Sequence, residues 1–377
     1  MNIAILVNTL SVGGVERIMA DLSVFLQNEG HNVYVLVMDG HDISYAYGGQ
    51  VLPIGGVYAK NKWWSPLFSF LHVLGVRKLK RQLKIDITIS AMEYLNLINV
   101  ITGHDKKIVT LHNHRFEYEV SHTVKDRFIE WWFSKCCHKA KIVCVAKAIE
   151  QKARRLYGSD ADVYTIYNSI NPKMIAAMPE QRPPEAPELI GAKTFVNVGR
   201  LCAQKAQHIL LDAFAIVSGI HPDSGLIIAG DGPLKDELQA QAKSLGLENK
   251  VCFVGRTNNP FYYMSRACAF VLSSDYEGFG VVLAEALACG TPVISTDCNC
   301  GPREILAPES DIFKRTTTVE QAQYGLLCPV GSREALADAM CRILTNDKLV
   351  SEYRGNAKNR AADFSQESNM KEWLKLL

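Results

Sequence analysis

Two carboxylates, Glu277 and Glu285, stand eight positions apart in "SSDYEGFGVVLAEALACGTPVIST", residues 273–296, and their surroundings are unlike. Glu277 heads a turn bracketed by Gly278 and Gly280. Glu285 stands among Val281, Val282, Leu283, Ala284, Ala286, Leu287 and Ala288, a run with no polar face. A buried carboxylate without a partner is costly or takes up a proton. A pair of vicinal hydroxyls, as on a ribose, would satisfy it, because one carboxylate can accept from both. A buried salt bridge would also satisfy it, and these residues alone leave both readings open. Seventy residues earlier, "GRLCAQK" places Arg200 and Lys205 just after an apolar run and just before a helix. Two cations beside the unpaired N–H groups of a helix start suit a diphosphate, although surface charges near a turn would look the same. Gly278 and Gly280 allow the backbone to approach a ligand closely.

The elements around these residues repeat one pattern. Ile3 to Val7 is a short apolar run suited to a strand buried on both faces. Gly13 and Gly14 follow, and Val15, Ile18, Met19, Leu22, Phe25 and Leu26 carry the helical period up to Gly30. Val33 to Met38 is the next strand, completing a strand–helix–strand unit. Further strands are expected at Ile85 to Ser90, Ile108 to Leu111, Ile142 to Val145 and Val163 to Ile166. From Asn171 to Lys193 the chain turns proline-rich and aperiodic, as a linker does. The pattern then restarts with "TFVNVGR", "GLIIAGDGP", "KVCFVG", "CAFVLSS", "TPVIST" and "YGLLCPV" as strands, with helices between them. The expected class is α/β: two Rossmann-like, doubly wound parallel domains facing each other across a cleft. Their expected bounds are 1–180 and 190–354, with a C-terminal helix of about 355–377 packing back on the first. Ligands of such sheets sit beyond the carboxyl ends of the strands.

In this arrangement "EGFGVVLAE" followed by "GTPVIS" resembles the E-x7-E motif of glycosyltransferase family 4, whose fold is GT-B. "GRLCAQK" is similar to that family's second-domain Arg–Lys motif, and "GGVER" to its first-domain glycine loop. "SSDYEGFG…DCNCGPREIL" resembles bacterial members that build surface polysaccharides and lipid-linked oligosaccharides. The resemblance implies that Arg200 and Lys205 bind the donor diphosphate and stabilise the leaving group. It implies that Glu285 holds the nucleotide ribose, and that Glu277, with the backbone of Gly278, Phe279 and Gly280, holds the transferred sugar. Gly13 and Gly14 would let the first-domain loop close over phosphates and acceptor. The active-site histidine of the family would be His112, with His114 the other candidate in "IVTLHNH". Such enzymes retain the anomeric configuration and need no metal or other cofactor, the cations supplying the positive charge. The chain departs from the family at Asn171, where an aspartate is usual, and at Ala206, where a glycine commonly follows the lysine. "APESDIFKRTTTVEQAQ", residues 307–323, is longer than the loop requires, which suggests a lid or a disordered segment.

Bulk properties agree. A chain of 377 residues with 48% hydrophobic and 21% charged residues can bury two ordinary cores. A net charge of +2 argues against nucleic acid as a partner. Eleven cysteines without spaced pairs read as reduced thiols rather than a zinc or disulfide framework. Asp160 and Asp162 form a D-x-D triplet, but in a polar loop before a strand, which is a poor place for a metal. Neither a secretory leader nor an apolar run of ~18 residues is visible, so a cytoplasmic location is expected. Between Lys60 and Lys84 lie seven cations (Lys60, Lys62, Arg77, Lys78, Lys80, Arg81 and Lys84) and no acid, with Trp63, Trp64 and "LFSFLHVLGV" among them. That composition suits a segment lying on an anionic membrane, and a partly buried helix with a basic end would share it. "EWWFSKCCHKAK" adds a second aromatic–basic patch. The expected protein is therefore a glycosyltransferase peripheral to the inner face of the cell membrane. It would move a hexose or N-acetylhexosamine from a nucleotide sugar, expected to be a UDP-sugar, to a saccharide acceptor, expected to be lipid-linked. A sugar-nucleotide epimerase of the same fold, or a silent nucleotide-sugar-binding subunit, would share parts of the pattern.

Overall fold

The computed structural model of the chain describes all residues except 12, 39–42, 55–64, 113–130, 159, 185 and 188–192. The chain divides into two compact units, Met1–Asn168 with Asn369–Leu377, and Ser169–Ser368.

The first unit is built on β1 (Asn2–Val7), β2 (Asn32–Val37), β3 (Gln50–Pro53), β4 (Ile87–Ala91), β5 (Lys106–Leu111), β6 (Lys141–Cys144) and β7 (Val163–Thr165). They pair in the order β3-β2-β1-β4-β5-β6-β7, every neighbour parallel. Apolar runs such as Ile3–Val7 are buried along their whole length because helices cover both faces. The helix Gly14–Asn28 covers one face and buries Met19, Leu22 and Leu26 against Ile3, Ile5, Val33 and Val35. The C-terminal residues Met370, Trp373 and Leu376 complete that core. Lys106 and Lys141 tie the chain end down by donating to the carbonyls of Leu377 (3.1 Å) and Leu376 (3.0 Å). Residues 355–368 belong to the second unit, so the returning segment is shorter than the expected helix of about 355–377.

The second unit has β8 (Thr194–Val198), β9 (Gly225–Ala229), β10 (Val251–Gly255), β11 (Ala269–Leu272), β12 (Val293–Thr296), β13 (Glu320–Ala322) and β14 (Gly325–Cys328). Their order is β10-β9-β8-β11-β12-β14-β13, parallel except for the closing β13–β14 pair. The helices Gln207–Ile220 and Arg333–Thr345 bury Leu210, Phe214, Val217, Leu336 and Met340 on one face of this sheet. In both units the strand order reverses beside the first strand, between β1 and β4 and between β8 and β11. A crevice opens at such a point beyond the carboxyl ends of the two strands.

Two elements differ from the sequence reading. β3 has only Val51 and Leu52 between Gln50 and Pro53, too short an apolar run to show. β13 lies inside residues 307–323, and that segment is anchored to the body of its unit. Arg303, 1% exposed, donates to Asp297 (Nε–Oδ1 3.0 Å, Nη2–Oδ2 2.6 Å), to Glu320 (3.0 and 2.9 Å) and to Ser310 (3.1 Å). Arg315 closes the same segment onto Asn299 (3.1 Å to Oδ1, 2.7 Å to the carbonyl).

Candidate active site

The switch point of the second sheet is occupied by two loops, Gly199–Ala206 after β8 and Ser273–Gly280 after β11. The first packs so tightly on its neighbour that glycine is required there. A Cβ on Gly230, whose φ is +147°, would lie 1.9 Å from the Gly199 carbonyl oxygen, and one on Gly232 would lie 2.3 Å from that of Leu201. Three hydrogen bonds then join the two loops. Gln204 Nε2 donates to the Tyr276 carbonyl (2.9 Å), the Asp275 amide donates to the Gln204 carbonyl (2.9 Å), and Ser273 Oγ donates to the Lys205 carbonyl (2.8 Å).

This stitching brings Lys205 and Glu277 together across 72 residues of sequence: Lys205 Nζ lies 2.5 Å from Glu277 Oε1. Ser274 Oγ donates to the same oxygen at 2.6 Å, and Thr296 Oγ1 on β12 fixes the Ser274 carbonyl at 2.6 Å. Both side chains are mostly buried, Lys205 18% and Glu277 7% exposed. Burial works against the Lys205 charge, but Glu277 at contact distance outweighs it, and the ammonium is held above its ordinary pKa. Lys205 is therefore a fixed cation at neutral pH, and Glu277 keeps Oε2 clear of these two donors.

The remaining expected residues fall into place unequally. Gly280 caps the helix Val281–Ala288 with a φ of +80°, a left-handed conformation costly for other residues, so the first amides of that helix face the turn. Gly278 is buried in the same turn. Phe279 contributes only its backbone, because its ring is buried edge-to-face on Phe364 with centroids 5.3 Å apart. Glu285 is buried at 7% exposure and already interacts with protein groups, so its burial does not by itself require a ligand. Arg200 is exposed and forms no ion pair among the described residues; Gln207 Nε2 holds its carbonyl at 3.1 Å.

Ala206 adopts the left-handed region at φ +44°, which explains why a glycine suits that position. Asn171 caps the helix Pro172–Ala177 by accepting from the Met174 amide at 3.0 Å, a task an aspartate performs equally well. Ser274, Gln204 and Gln207 were not singled out in the sequence. Ser274 lies three residues before Glu277, and that spacing is the only signal it offers.

In the first unit Gly13 precedes the helix Gly14–Asn28 in extended backbone (φ −179°), which any residue adopts. A Cβ on Gly13 would meet Glu16 Oε2 at 2.0 Å, whereas one on Gly14 would meet nothing within 4 Å. His112 follows β5, is 8% exposed, and lies 2.8 Å from Thr110 Oγ1 through Nε2. Burial pushes its pKa down to about 4, so the ring is neutral at physiological pH. His114 lies outside the described residues, as do Lys60, Lys62, Trp63 and Trp64.

The D-x-D aspartates stand at the amino-terminal edge of the first sheet, just before β7, away from the carboxyl ends. Lys80 is not part of a surface patch: it is buried, 2% exposed, and donates to Asp105 Oδ2 (3.1 Å), Asn99 Oδ1 (2.9 Å) and the Thr102 carbonyl (3.3 Å). Burial lowers its pKa to about 8, with Asp105 opposing the shift. Among the described residues no helix is long and apolar enough to cross a membrane.

Known proteins match this chain on both units. The model for "Glycosyltransferase Family 4" matches residues 12–173, and that for "Glycosyl transferases group 1" matches residues 183–360. An uncharacterized glycosyltransferase of Methanocaldococcus jannaschii is 39% identical over 199 residues, 48% of this chain and 49% of that protein. The N-acetylgalactosamine-N,N'-diacetylbacillosaminyl-diphospho-undecaprenol 4-alpha-N-acetylgalactosaminyltransferase of Campylobacter jejuni is 28% identical over 390 residues, covering 100% of this chain and 99% of that one. The fold is shared with Anabaena HepE, solved in complex with UDP, at a TM-score of 0.78 and 19% identity over 100% and 99% of the two chains. With one family model on each doubly wound unit, and a relative that matches from end to end, the chain belongs to the GT-B glycosyltransferases of the family 4 kind and is an enzyme.

Proposed function

We propose that the enzyme transfers a hexose or N-acetylhexosamine from a UDP-sugar to a saccharide carried on a lipid diphosphate, with retention of configuration and without a metal. The observation that carries this reading is the Lys205–Glu277–Ser274 cluster beside the amino terminus of the helix Val281–Ala288. The Lys205 ammonium and the helix amides meet the diphosphate, joined by the exposed Arg200, and stabilise the charge that develops as it departs. Glu277, anchored through Oε1, offers Oε2 to a hydroxyl of the transferred sugar. The bond from the anomeric carbon to the β-phosphate oxygen breaks, and the acceptor oxygen bonds the same face. The acceptor proton passes to the departing phosphate oxygen. Glu285 accepts from the ribose diol in this scheme. The choice of UDP draws support from HepE with UDP, and the lipid diphosphate from the acceptor named for the Campylobacter relative.

The test measures melting temperature with UDP, GDP or ADP in excess chelator, then sugar transfer from UDP-sugars to a saccharide on a lipid diphosphate. A UDP-selective rise followed by an α-linked product from an α-linked donor supports the proposal. Transfer that requires a divalent cation, or an inverted product, refutes it.

A peripheral membrane location at the inner leaflet is part of the same proposal. On the helix Ser65–Gln82, Phe70 (59%), Leu71 (40%) and Leu74 (45%) are exposed, followed on the same side by Arg77, Lys78 and Arg81. An apolar front and a cationic end on one exposed helix suit an anionic interface. Flotation with anionic vesicles should carry the wild type upward and lose Leu74→Glu; a wild type that stays at the bottom refutes it.

A further inference from the structure

We infer that Thr110 is a positioning residue that fixes His112 in its Nε2–H tautomer, so that the ring presents Nδ1 as a hydrogen-bond acceptor to a hydroxyl of the sugar, and not a cation to a phosphate. The argument begins with the ends of β4 and β5, which pair with Ala91 opposite Thr110. Thr110 Oγ1 lies 2.9 Å from the Ser90 carbonyl oxygen and 2.8 Å from His112 Nε2. A carbonyl has no proton to give, so the one hydroxyl hydrogen of Thr110 is committed to Ser90. Only an oxygen lone pair then faces the ring, and Nε2 must carry the proton that fills this contact.

The surroundings hold that direction in place. Asn96 Nδ2 donates to the Thr110 carbonyl at 2.9 Å, Ser90 Oγ donates to Asn96 Oδ1 at 2.8 Å, and Asn99 Nδ2 donates to Ser90 Oγ at 3.1 Å. Thr110 is 1% exposed and Ser90 is fully buried, so water does not compete. A neutral imidazole has a single ring proton. With it on Nε2, Nδ1 is a bare lone pair, and Nδ1 is buried with no partner among the described residues. A buried acceptor left without a hydrogen bond is destabilising. A ligand O–H repairs that loss, whereas a phosphate oxygen would set lone pair against lone pair. His112 thereby accepts a hydroxyl and does not suit a phosphate oxygen. That the hydroxyl belongs to a sugar rests on the glycosyltransferase proposal; the tautomer does not.

The test is long-range proton–nitrogen NMR of protein labelled at its histidines. His112 is one of ten and is assigned by comparison with His112→Gln. In the ligand-free wild type at neutral pH, the ring should be a single Nε2–H tautomer, and Thr110→Ser, which keeps the hydroxyl, should match it. Thr110→Val should move to Nδ1–H or to a mixture of the two forms. In kinetics, Thr110→Val should raise the KM for the sugar nucleotide about tenfold, one hydrogen bond's worth, with the inhibition constant of UDP unchanged and Thr110→Ser close to wild type. A wild-type ring protonated on Nδ1, or a Thr110→Val ring identical to wild type, overturns the positioning role. Equal weakening of UDP and the sugar nucleotide overturns the hydroxyl assignment. Absence of any transfer with a correct tautomer would fault the proposed reaction, and with it the sugar assignment, while the Thr110 role stands.

Discussion

The burial of His112 has a thermodynamic signature that can be worked out in advance. The ring titrates near 4 in the folded chain because burial disfavours its charge, against an ordinary 6.5. Between those values the unfolded chain binds a proton that the folded chain refuses, so unfolding gains as pH falls through the window. Stability is therefore full above about pH 6.5 and lost progressively down to about 4, at ~1.4 kcal/mol per pH unit, or about 3 kcal/mol across the window. Many carboxylates also titrate there, so the informative quantity is the difference between wild type and His112→Gln, whose amide can still reach Thr110. All five tryptophans lie in the first unit's segments, Met1–Asn168 and Asn369–Leu377, and Trp373 is buried in its core, 6% exposed. Urea unfolding followed by tryptophan fluorescence therefore reads the unit that holds His112. The wild-type curve should fall relative to the variant by about 3 kcal/mol between pH 7 and pH 4. A difference curve that is flat over this range would refute the buried neutral ring. One that rises toward acid would mean His112 gains a partner as a cation.

Three further outcomes follow from the second unit. Lys205→Met should lower kcat/KM by about 10²–10³, as removal of a preorganised group at a developing charge does, and a loss under fivefold would remove Lys205 from the chemistry. Arg303→Met leaves Asp297 buried without its cation and should cost about 3–5 kcal/mol by circular dichroism, with new protease cleavage inside residues 307–319. Unchanged protease resistance would show that Arg303 does not hold that segment. Gly301→Ala should destabilise by more than ~2 kcal/mol, because its φ is +84° and a Cβ would lie 1.9 Å from the Phe279 carbonyl oxygen. A melting temperature equal to wild type would contradict that close approach.

Much of the framework was legible because parallel strands covered on both faces are continuous apolar runs, and glycines mark the turns that follow them. Runs such as Ile3–Val7 and "GLIIA" announce buried strands whatever surrounds them. β3 and β13 escaped because QVLP and EQA hold no apolar run longer than two residues. Residues 307–323 looked like a free loop because charge in sequence reads as solvent exposure, and the arginine that anchors them is itself buried. Lys80 misled for the same reason: counted with six other cations, it proved to face inward, paired with Asp105.

The class of fold, the doubling of the unit and the residue types at the ends of the strands can all be read along the chain. Those follow from local properties: apolar run length, glycine conformational freedom and the helical period. Which of those residues meet depends on how the strands are ordered in the folded sheet. Lys205 and Glu277 touch because β8 and β11 are neighbours at the point where the strand order reverses, and Ser274 shares their contact because Thr296 on the next strand holds its carbonyl. The polarity of His112 was likewise set by a proton commitment between two strands, from Thr110 to Ser90. Contacts of this kind depend on strand order and register across many intervening residues, and no local pattern records them.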